Sequence, residues 1–287
     1  MKTSSIATVF LVAVCALLVC LTGVLAQTEA QPVGEITLAF EKKLASEFDY
    51  DKPNETETRF LKLASEAQTA GRVEEACVYL TQAARAQGIQ DRLKEARATL
   101  DKARSLSPNS AYAIARLSLE SGRITRREGH VDQARAQFEG AYRIARERGA
   151  DSLAADAAHM LAVLLPFEHA APWVDRGLAV AESSENPIAR AWVGNLCFNW
   201  GESLAEHGKH LDAALYFARA VAARSVQGDA ATVRTAEFAL AVELRTLGTV
   251  DQARAIQRRL LREATIARED TADILRELKV LEAAGKR

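Results

Sequence analysis

The stretch GNLCFNWGESLAEHGKHLDAALYFARA, residues 194–220, places small residues at Gly201, Ala213 and Ala220 and a bulky one at Phe217. Positions 213, 217 and 220 are four and seven residues apart, which puts them on one stripe of an α-helix. Small side chains on such a stripe let a neighbouring helix approach closely, and the bulky side chain fills the groove between the two helices. The stretch therefore predicts two closely packed helices.

The same pattern recurs along the chain at intervals of 38, 40, 39 and 40 residues. The anchor positions are Ala96, Ala134, Val174, Ala213 and Ala253. Four residues after each anchor come Leu100, Phe138, Leu178, Phe217 and, as an exception, the polar Gln257. Seven residues after it come Ala103, Ala141, Ala181, Ala220 and Leu260, and twelve before it Ala84, Gly122, Ala162, Gly201 and Ala241. These columns predict a repeated unit of about 40 residues.

Glycines mark the middle of three of these units. Gly129, Gly208 and Gly248 lie about five residues before their anchors. A glycine at such a place can take the left-handed conformation that ends a helix. Each unit is therefore predicted to contain helix A, a tight turn and helix B.

The columns resemble those of the tetratricopeptide repeat, which has small residues at its eighth, twentieth and twenty-seventh positions, a bulky one at the twenty-fourth and often a proline at the thirty-second. The matching residues are Gly201, Ala213, Phe217, Ala220 and, in the first unit, Pro108. The resemblance covers roughly residues 74–266. It implies an all-α fold, a right-handed α-solenoid of antiparallel helix pairs whose A helices line a concave groove.

The period of about 40 departs from the family's usual 34, which indicates longer helices. Val174 and Pro172 in the third unit indicate a bend or a looser stack there.

The sequence around the repeats predicts further helices near residues 36–48, 57–70 and 272–285, the last two as polar-faced caps of the stack. Residues 49–55, DYDKPNE, are interpreted as a linker. The resulting domain organisation is an N-terminal segment and linker over residues 27–56 and a helical repeat domain over residues 57–287.

Residues 1–26 have the composition of a signal peptide. Lys2 is their only charged residue, and Val24-Leu25-Ala26 precedes Gln27. The alternative is an uncleaved anchor, because about 20 apolar residues suffice to span a bilayer. The chain also resembles a group of exported bacterial tetratricopeptide proteins of unknown function. The sequence predicts a periplasmic or secreted protein, or alternatively one anchored in the inner membrane and facing outward.

Composition narrows the function classes. The net charge of −1 is not that of a nucleic-acid-binding protein, which would be strongly basic. Cys77 and Cys197 lie three units apart, too far for a disulfide, and are interpreted as buried apolar residues. His207 and His210 flank a turn without further ligands nearby, so they are interpreted as solvated turn residues. No catalytic or phosphate-binding motif is present, and the sequence predicts neither enzymatic activity, nor a metal, nor a cofactor.

The resemblance implies a binding groove formed by helices A. Counting from the small eighth position of each unit predicts groove residues Arg85, Arg116, Glu120, Arg123, Arg126, Arg127, Asp156, His159, Met160, Asn195, Phe198, Asn199, Glu202, Glu206, Thr235, Phe238 and Arg245. The groove would then be rich in arginine in its N-terminal half, and would carry amides and acids at the fourth unit.

Two hypotheses follow for this groove, and each has a structural alternative. Asn195 and Asn199 share one helix face and could bind a peptide backbone, or could satisfy neighbouring helices. Arg123, Arg126 and Arg127 could bind an acidic segment, or could complement a helix C-terminus. The sequence as a whole predicts a non-catalytic scaffold that binds a peptide or protein in its groove. The alternatives are a self-assembling adaptor that uses its convex face or end caps, and an accessory protein of an envelope enzyme.

Overall fold

The computed structural model describes residues 37–284, so the predicted signal peptide lies outside the described residues. Thirteen α-helices and no strand are present within that range. They are α1 (Leu38–Glu47), α2 (Pro53–Thr69), α3 (Val73–Ile89), α4 (Leu93–Ser105), α5 (Ala111–Arg127), α6 (Val131–Glu147), α7 (Asp151–Leu164), α8 (Phe167–Ser183), α9 (Pro187–Glu206), α10 (His210–Gln227), α11 (Ala230–Thr246), α12 (Val250–Ala267) and α13 (Ala272–Ala284).

From α2 onward, each helix packs against the next one along the chain. In addition, α3 packs against α5, and α7 packs against α9. The prediction of an all-α architecture built from neighbouring helices is confirmed. Helices α3, α5, α7, α9 and α11 occupy the places predicted for helices A, and we call them the A helices.

The repeat columns form the core. All of their residues are buried except Ala162, which is partly exposed. A Cβ atom added at Gly122 would lie 2.5 Å from the ring of Phe138, and one at Gly201 would lie 2.8 Å from the ring of Phe217. The glycine is therefore needed where the bulky residue of helix B packs against helix A.

Most of the turns inside the helix pairs use a left-handed residue. Gly129, Gly208 and Gly248 have φ of +87°, +69° and +84°, as predicted for residues that end a helix. Asp91, with φ +60°, takes this conformation between α3 and α4. The turn between α7 and α8 is different, because it is a short extended connection through Leu165 and Pro166.

Most of the core consists of two large apolar clusters that meet at α8, and a small third cluster joins α12 and α13. Val180 of α8 belongs to the cluster that runs from α1 to α7, whereas Ala170, Val174 and Leu178 belong to the cluster shared with α9, α10 and α11. Although Pro172 lies inside α8, the helix runs without interruption from Phe167 to Ser183. The third unit is thus the place where the core divides, and the predicted bend there stays a prediction.

The chain ends differ from the sequence interpretation in one respect. Helix α2 begins at Pro53, inside the predicted linker, because a proline fits the first turn of a helix, where its missing N–H costs no hydrogen bond. Helices α1 and α13 lie close to their predicted positions. Among residues 37–284, no helix is both long enough and apolar enough to cross a membrane.

Candidate binding face on the A helices

Helix α1 lies across the A helices rather than beside them in the stack. Phe40 and Leu44 of this helix and its C-cap residue Phe48 are four positions apart, and all three pack against the core. The ring of Phe40 lies 5.2 Å from the ring of Tyr79 on α3. Leu44 is 5 % exposed and belongs to the core cluster of α1 to α7. The N-terminal half of the predicted groove is therefore covered by a segment of the chain itself.

A buried carboxylate fixes α1 at this position. Glu41 is 7 % exposed, and its two oxygens accept hydrogen bonds from Ser152 Oγ and Asn186 Nδ2, both at 2.6 Å. Ser152 lies in the first turn of α7 and Asn186 is the N-cap of α9. An acidic side chain at helix N-termini is also favoured by the helix dipoles. One residue of α1 thus links two A helices that lie more than 100 residues away in sequence.

The predicted arginine cluster forms an ion-pair network beneath α1. Glu120 is 1 % exposed and lies within 3.1 to 3.8 Å of the guanidinium groups of Arg85, Arg116 and Arg123. Arg123 also pairs with the buried Asp156 of α7. Burial alone would raise the pKa of Asp156, but the charges of Arg123 and Arg85 keep it below its usual value. Three of the predicted groove arginines are therefore paired inside the protein.

Aromatic residues close this network from above. The Arg85 guanidinium lies 5.4 Å from the ring centre of Phe48 and 5.5 Å from that of Tyr50. Arg116 donates to the hydroxyl of Tyr112 at 2.9 Å, and burial raises the pKa of this tyrosine to about 12. The expectation of an arginine-rich surface open to an acidic partner does not apply to Arg85 and Arg116, because α1 and its following loop cover them.

The other predicted arginines have different surroundings. Arg127 is 41 % exposed and lies 3.7 Å from the exposed Asp91. Arg126 is partly exposed and has no anionic partner within residues 37–284. Burial, together with Arg127 and Arg123, lowers the pKa of Arg126. Arg245 is held by Glu277 of α13 and so belongs to the C-terminal cap.

Beyond α1, a cleft of about 300 Å³ opens between α7, α8 and α9. Its apolar wall contains Val163, Leu165, Val174, Leu196 and Trp200, and its polar side contains His159, Asn199, Glu202, Ser203 and Glu206. Four of the predicted groove residues, His159, Asn199, Glu202 and Glu206, thus come together here. The cleft is at the lower end of the usual size range for small-molecule sites, and suits a side chain better than a large ligand.

His159 and Asn199 join the two sides of the cleft. Asn199 Nδ2 lies 2.6 Å from His159 Nε2 and donates to it, which places the imidazole proton on Nδ1. Burial lowers the pKa of His159 to about 4, so the ring is neutral at pH 7. Nδ1 is buried and has no hydrogen-bond partner within the described part of the chain. Asn199 therefore positions a neutral histidine in the wall of the cleft.

Two carboxylates stand at the rim. Glu202 and Glu206 lie one helical turn apart on α9, and neither forms a salt bridge within residues 37–284. Burial, and the neighbouring charge of Glu206, raise the pKa of Glu202. The nearby Arg224 is committed elsewhere, because it donates to the Thr232 carbonyl at 2.9 Å and lies over the Phe198 ring. The rim thus carries two acids without a salt bridge in the described part of the chain, and the charge of Arg224 affects the pKa of Glu202 less than burial and Glu206 do.

The remaining predicted site residues contribute differently. Asn195 is exposed one turn before Asn199, so only Asn199 of the pair joins the cleft. Cys77 and Cys197 are both buried and unbonded, as predicted, and burial raises the pKa of each thiol, to about 12 and about 11. No group of three histidine, cysteine or acidic residues that could hold a metal occurs between residues 37 and 284.

No protein-family model matches the chain, and no curated protein is significantly similar to it. Among solved structures, the fold is similar to that of BtubC (BKLC) from P. vanneervenii, with a TM-score of 0.60. The two chains are 17 % identical, and the alignment covers 81 % of this chain and 93 % of BtubC. At this level of identity the similarity concerns the fold alone, and the function has to be argued from the site.

Sequence reasoning missed the occupant of the groove. The spacing of Phe40, Leu44 and Phe48 indicates an amphipathic helix, but it contains no information about which surface that helix covers. A signal was available in Glu41, an acid next to an apolar stripe, which is the residue that becomes buried. The pairing of Glu120 and Asp156 with the arginines could have been suspected, because all five residues were assigned to the same face.

Proposed function

We propose that the protein is a non-catalytic binding scaffold that holds a peptide segment of a protein partner on its A helices, at the cleft between α7, α8 and α9. In this proposal, residues 73–267 form a right-handed solenoid of five helix pairs. We further propose, from the composition of residues 1–26, that the scaffold acts outside the cytoplasm.

The observation that carries the proposal is the contrast between the covered and the open part of this face. Helix α1 is held on the A helices through an apolar stripe and the two hydrogen bonds of Glu41, which supports the idea that this face suits a helical segment. The cleft next to it offers the same combination, an apolar wall with polar groups at its edge, but no segment of residues 37–284 fills it. An extended face with anchoring pockets is the usual way in which helical repeats bind peptides.

The test is selection of a displayed library of 15-residue peptides on the purified protein. We expect enriched peptides that bind with micromolar affinity. Their affinity should fall at least tenfold when the cleft is filled by Val163→Trp. The matched control is Val226→Trp on α10, where the side chain is 91 % exposed and does not line the cleft. Circular dichroism and thermal unfolding establish that both variants stay folded.

Two outcomes would contradict the proposal. Failure to enrich any peptide would exclude the cleft as a peptide site, and equal losses in both variants would place binding elsewhere. A mass that rises with protein concentration, measured by light scattering, together with failure to enrich any peptide, would favour the self-assembling adaptor instead.

A further inference from the structure

We infer that the cleft between α7, α8 and α9 recognises a basic side chain, arginine or lysine, of the bound segment, with Glu202 and Glu206 as its charge partners. This inference rests on the proposed peptide binding and names the chemistry of the residue that enters the cleft. It is the opposite of what the arginine cluster in the sequence indicated for the partner.

The apolar wall of the cleft suits the aliphatic stem of a basic side chain. Val163, Leu165 and Val174 line the cleft together with the ring of Trp200. Arginine and lysine have a long aliphatic stem that packs along apolar surfaces while the charged end remains near water. A cleft of about 300 Å³ accommodates such a stem with little space for a larger ligand.

The charges at the cleft favour a positively charged end on that side chain. In the covered half, the two buried acids of the A helices, Glu120 and Asp156, are matched by arginines. At the cleft, Glu202 and Glu206 are neighbours with like charge, and neither forms a salt bridge within residues 37–284. The nearby Arg224 offsets the charge of Glu202 only in part, because its guanidinium donates to the Thr232 carbonyl. Like charges one turn apart destabilise a helix slightly, so a cation placed between them relieves repulsion as well as forming ion pairs.

One wall of the cleft is polar but uncharged. His159 carries its proton on Nδ1 because Asn199 donates to Nε2, and this buried N–H has no acceptor within the described residues. Because this Nδ1 is buried, it is out of reach of a ligand in the cleft, and His159 and Asn199 form a fixed, uncharged part of the wall that does not repel a cation.

The experiment compares N-acetyl-arginine methylamide with N-acetyl-citrulline methylamide, a neutral probe of nearly the same shape. Binding to the purified protein is followed by NMR of the Trp200 indole and the Asn199 side-chain amide. We expect millimolar binding of the arginine probe and at least tenfold weaker binding of the citrulline probe. The preference should disappear in the Glu202→Gln/Glu206→Gln variant.

The control variant is Asp175→Asn/Asp212→Asn, which removes two exposed acids from α8 and α10 and changes the net charge equally. It should keep the full preference for arginine. Equal binding of both probes, no binding of either, or the same loss in the control variant would overturn the inference. The library experiment then separates the two proposals. If Val163→Trp still weakens the binding of selected peptides, the proposed peptide binding stands and only its basic anchor is wrong. If Val163→Trp has no effect on peptide affinity, both proposals fail.

Discussion

The two halves of the A-helix face are built from the same repeat, yet they treat charge in opposite ways. In the N-terminal half, Arg85, Arg116 and Arg123 surround Glu120, and α1 covers the network. In the C-terminal half, Glu202 and Glu206 form no salt bridge within residues 37–284 and border an open cleft. The comparison teaches that charged residues at groove positions do not by themselves mark a binding site. A charge is available to a partner only where the chain has not already neutralised it.

The largest effect should come from removing the centre of the covered network. In Glu120→Ala, three buried or partly buried arginines keep only Asp156 as an anionic partner, because Glu120 is 1 % exposed and contacts all three. Removing one partner of a buried ion pair typically costs about 3–5 kcal/mol. We expect a loss of this size in the free energy of unfolding, measured by urea denaturation.

Glu147→Ala is the matched control for that substitution. Its carboxylate pairs with Arg143 on the surface of α6, where both side chains are more than half exposed. Exposed pairs of this kind contribute roughly 0–1 kcal/mol. Similar losses for both variants would mean that the two networks are equally hydrated, and the contrast between covered and open charges would fail.

The next effect is a dependence of stability on pH that originates between the two halves, at His159. Its pKa in the folded protein is lowered to about 4, whereas an unfolded histidine has a pKa of about 6.5. The unfolded state therefore binds the proton more readily. The neutral His159 therefore makes its full contribution to the free energy of unfolding above pH 6.5, and this contribution is lost as the pH falls towards 4.

Between pH 7 and pH 4.5, this linkage should cost the wild type about 2 kcal/mol more than His159→Gln, which cannot titrate. Urea denaturation of both proteins at the two pH values measures the difference. His130→Gln in the exposed turn before α6 is the control, and it should keep the wild-type dependence. If His159→Gln keeps it as well, the histidine is hydrated and Asn199 does not hold it in the cleft wall.

The fold and the candidate site differ in how much of each could be predicted from the sequence. The spacing of small and bulky residues, such as Gly201 and Phe217, determines which helices pack, because each column has a direct steric meaning. The same counting also assigned His159, Asn199, Glu202 and Glu206 to one face. It could not show that Arg123 is neutralised by Asp156, because ion pairing depends on side-chain distances between helices, or that α1 covers Arg85.

Helix α1 allows the comparison to be tested more locally. In Glu41→Ala, Ser152 Oγ and Asn186 Nδ2 lose their acceptor, which typically costs about 1–3 kcal/mol when the groups are buried. We expect α1 to detach while the helices beneath it remain folded. Hydrogen exchange should therefore become faster over residues 38–47 and change far less over α9 to α12.

The control is Lys42→Ala, an exposed position on the same helix, which should leave the exchange of α1 unchanged. Detachment of α1 would convert the covered half into a second open surface with Arg85 exposed. Unchanged exchange in Glu41→Ala would mean that the apolar stripe of Phe40 and Leu44 holds α1 alone, and that the carboxylate is not the decisive contact.

The smallest effect on stability should be that of Glu202→Gln/Glu206→Gln, the substitution that also removes the charge partners proposed for a basic side chain. Because these acids form no salt bridge within residues 37–284 and lie one turn apart, the change should raise the free energy of unfolding by a few tenths of a kcal/mol. Measured beside Glu120→Ala, it separates acids that maintain the fold from acids that remain available to a ligand. A loss of more than about 1 kcal/mol would place the pair among structural ion pairs. The open half would then resemble the covered one.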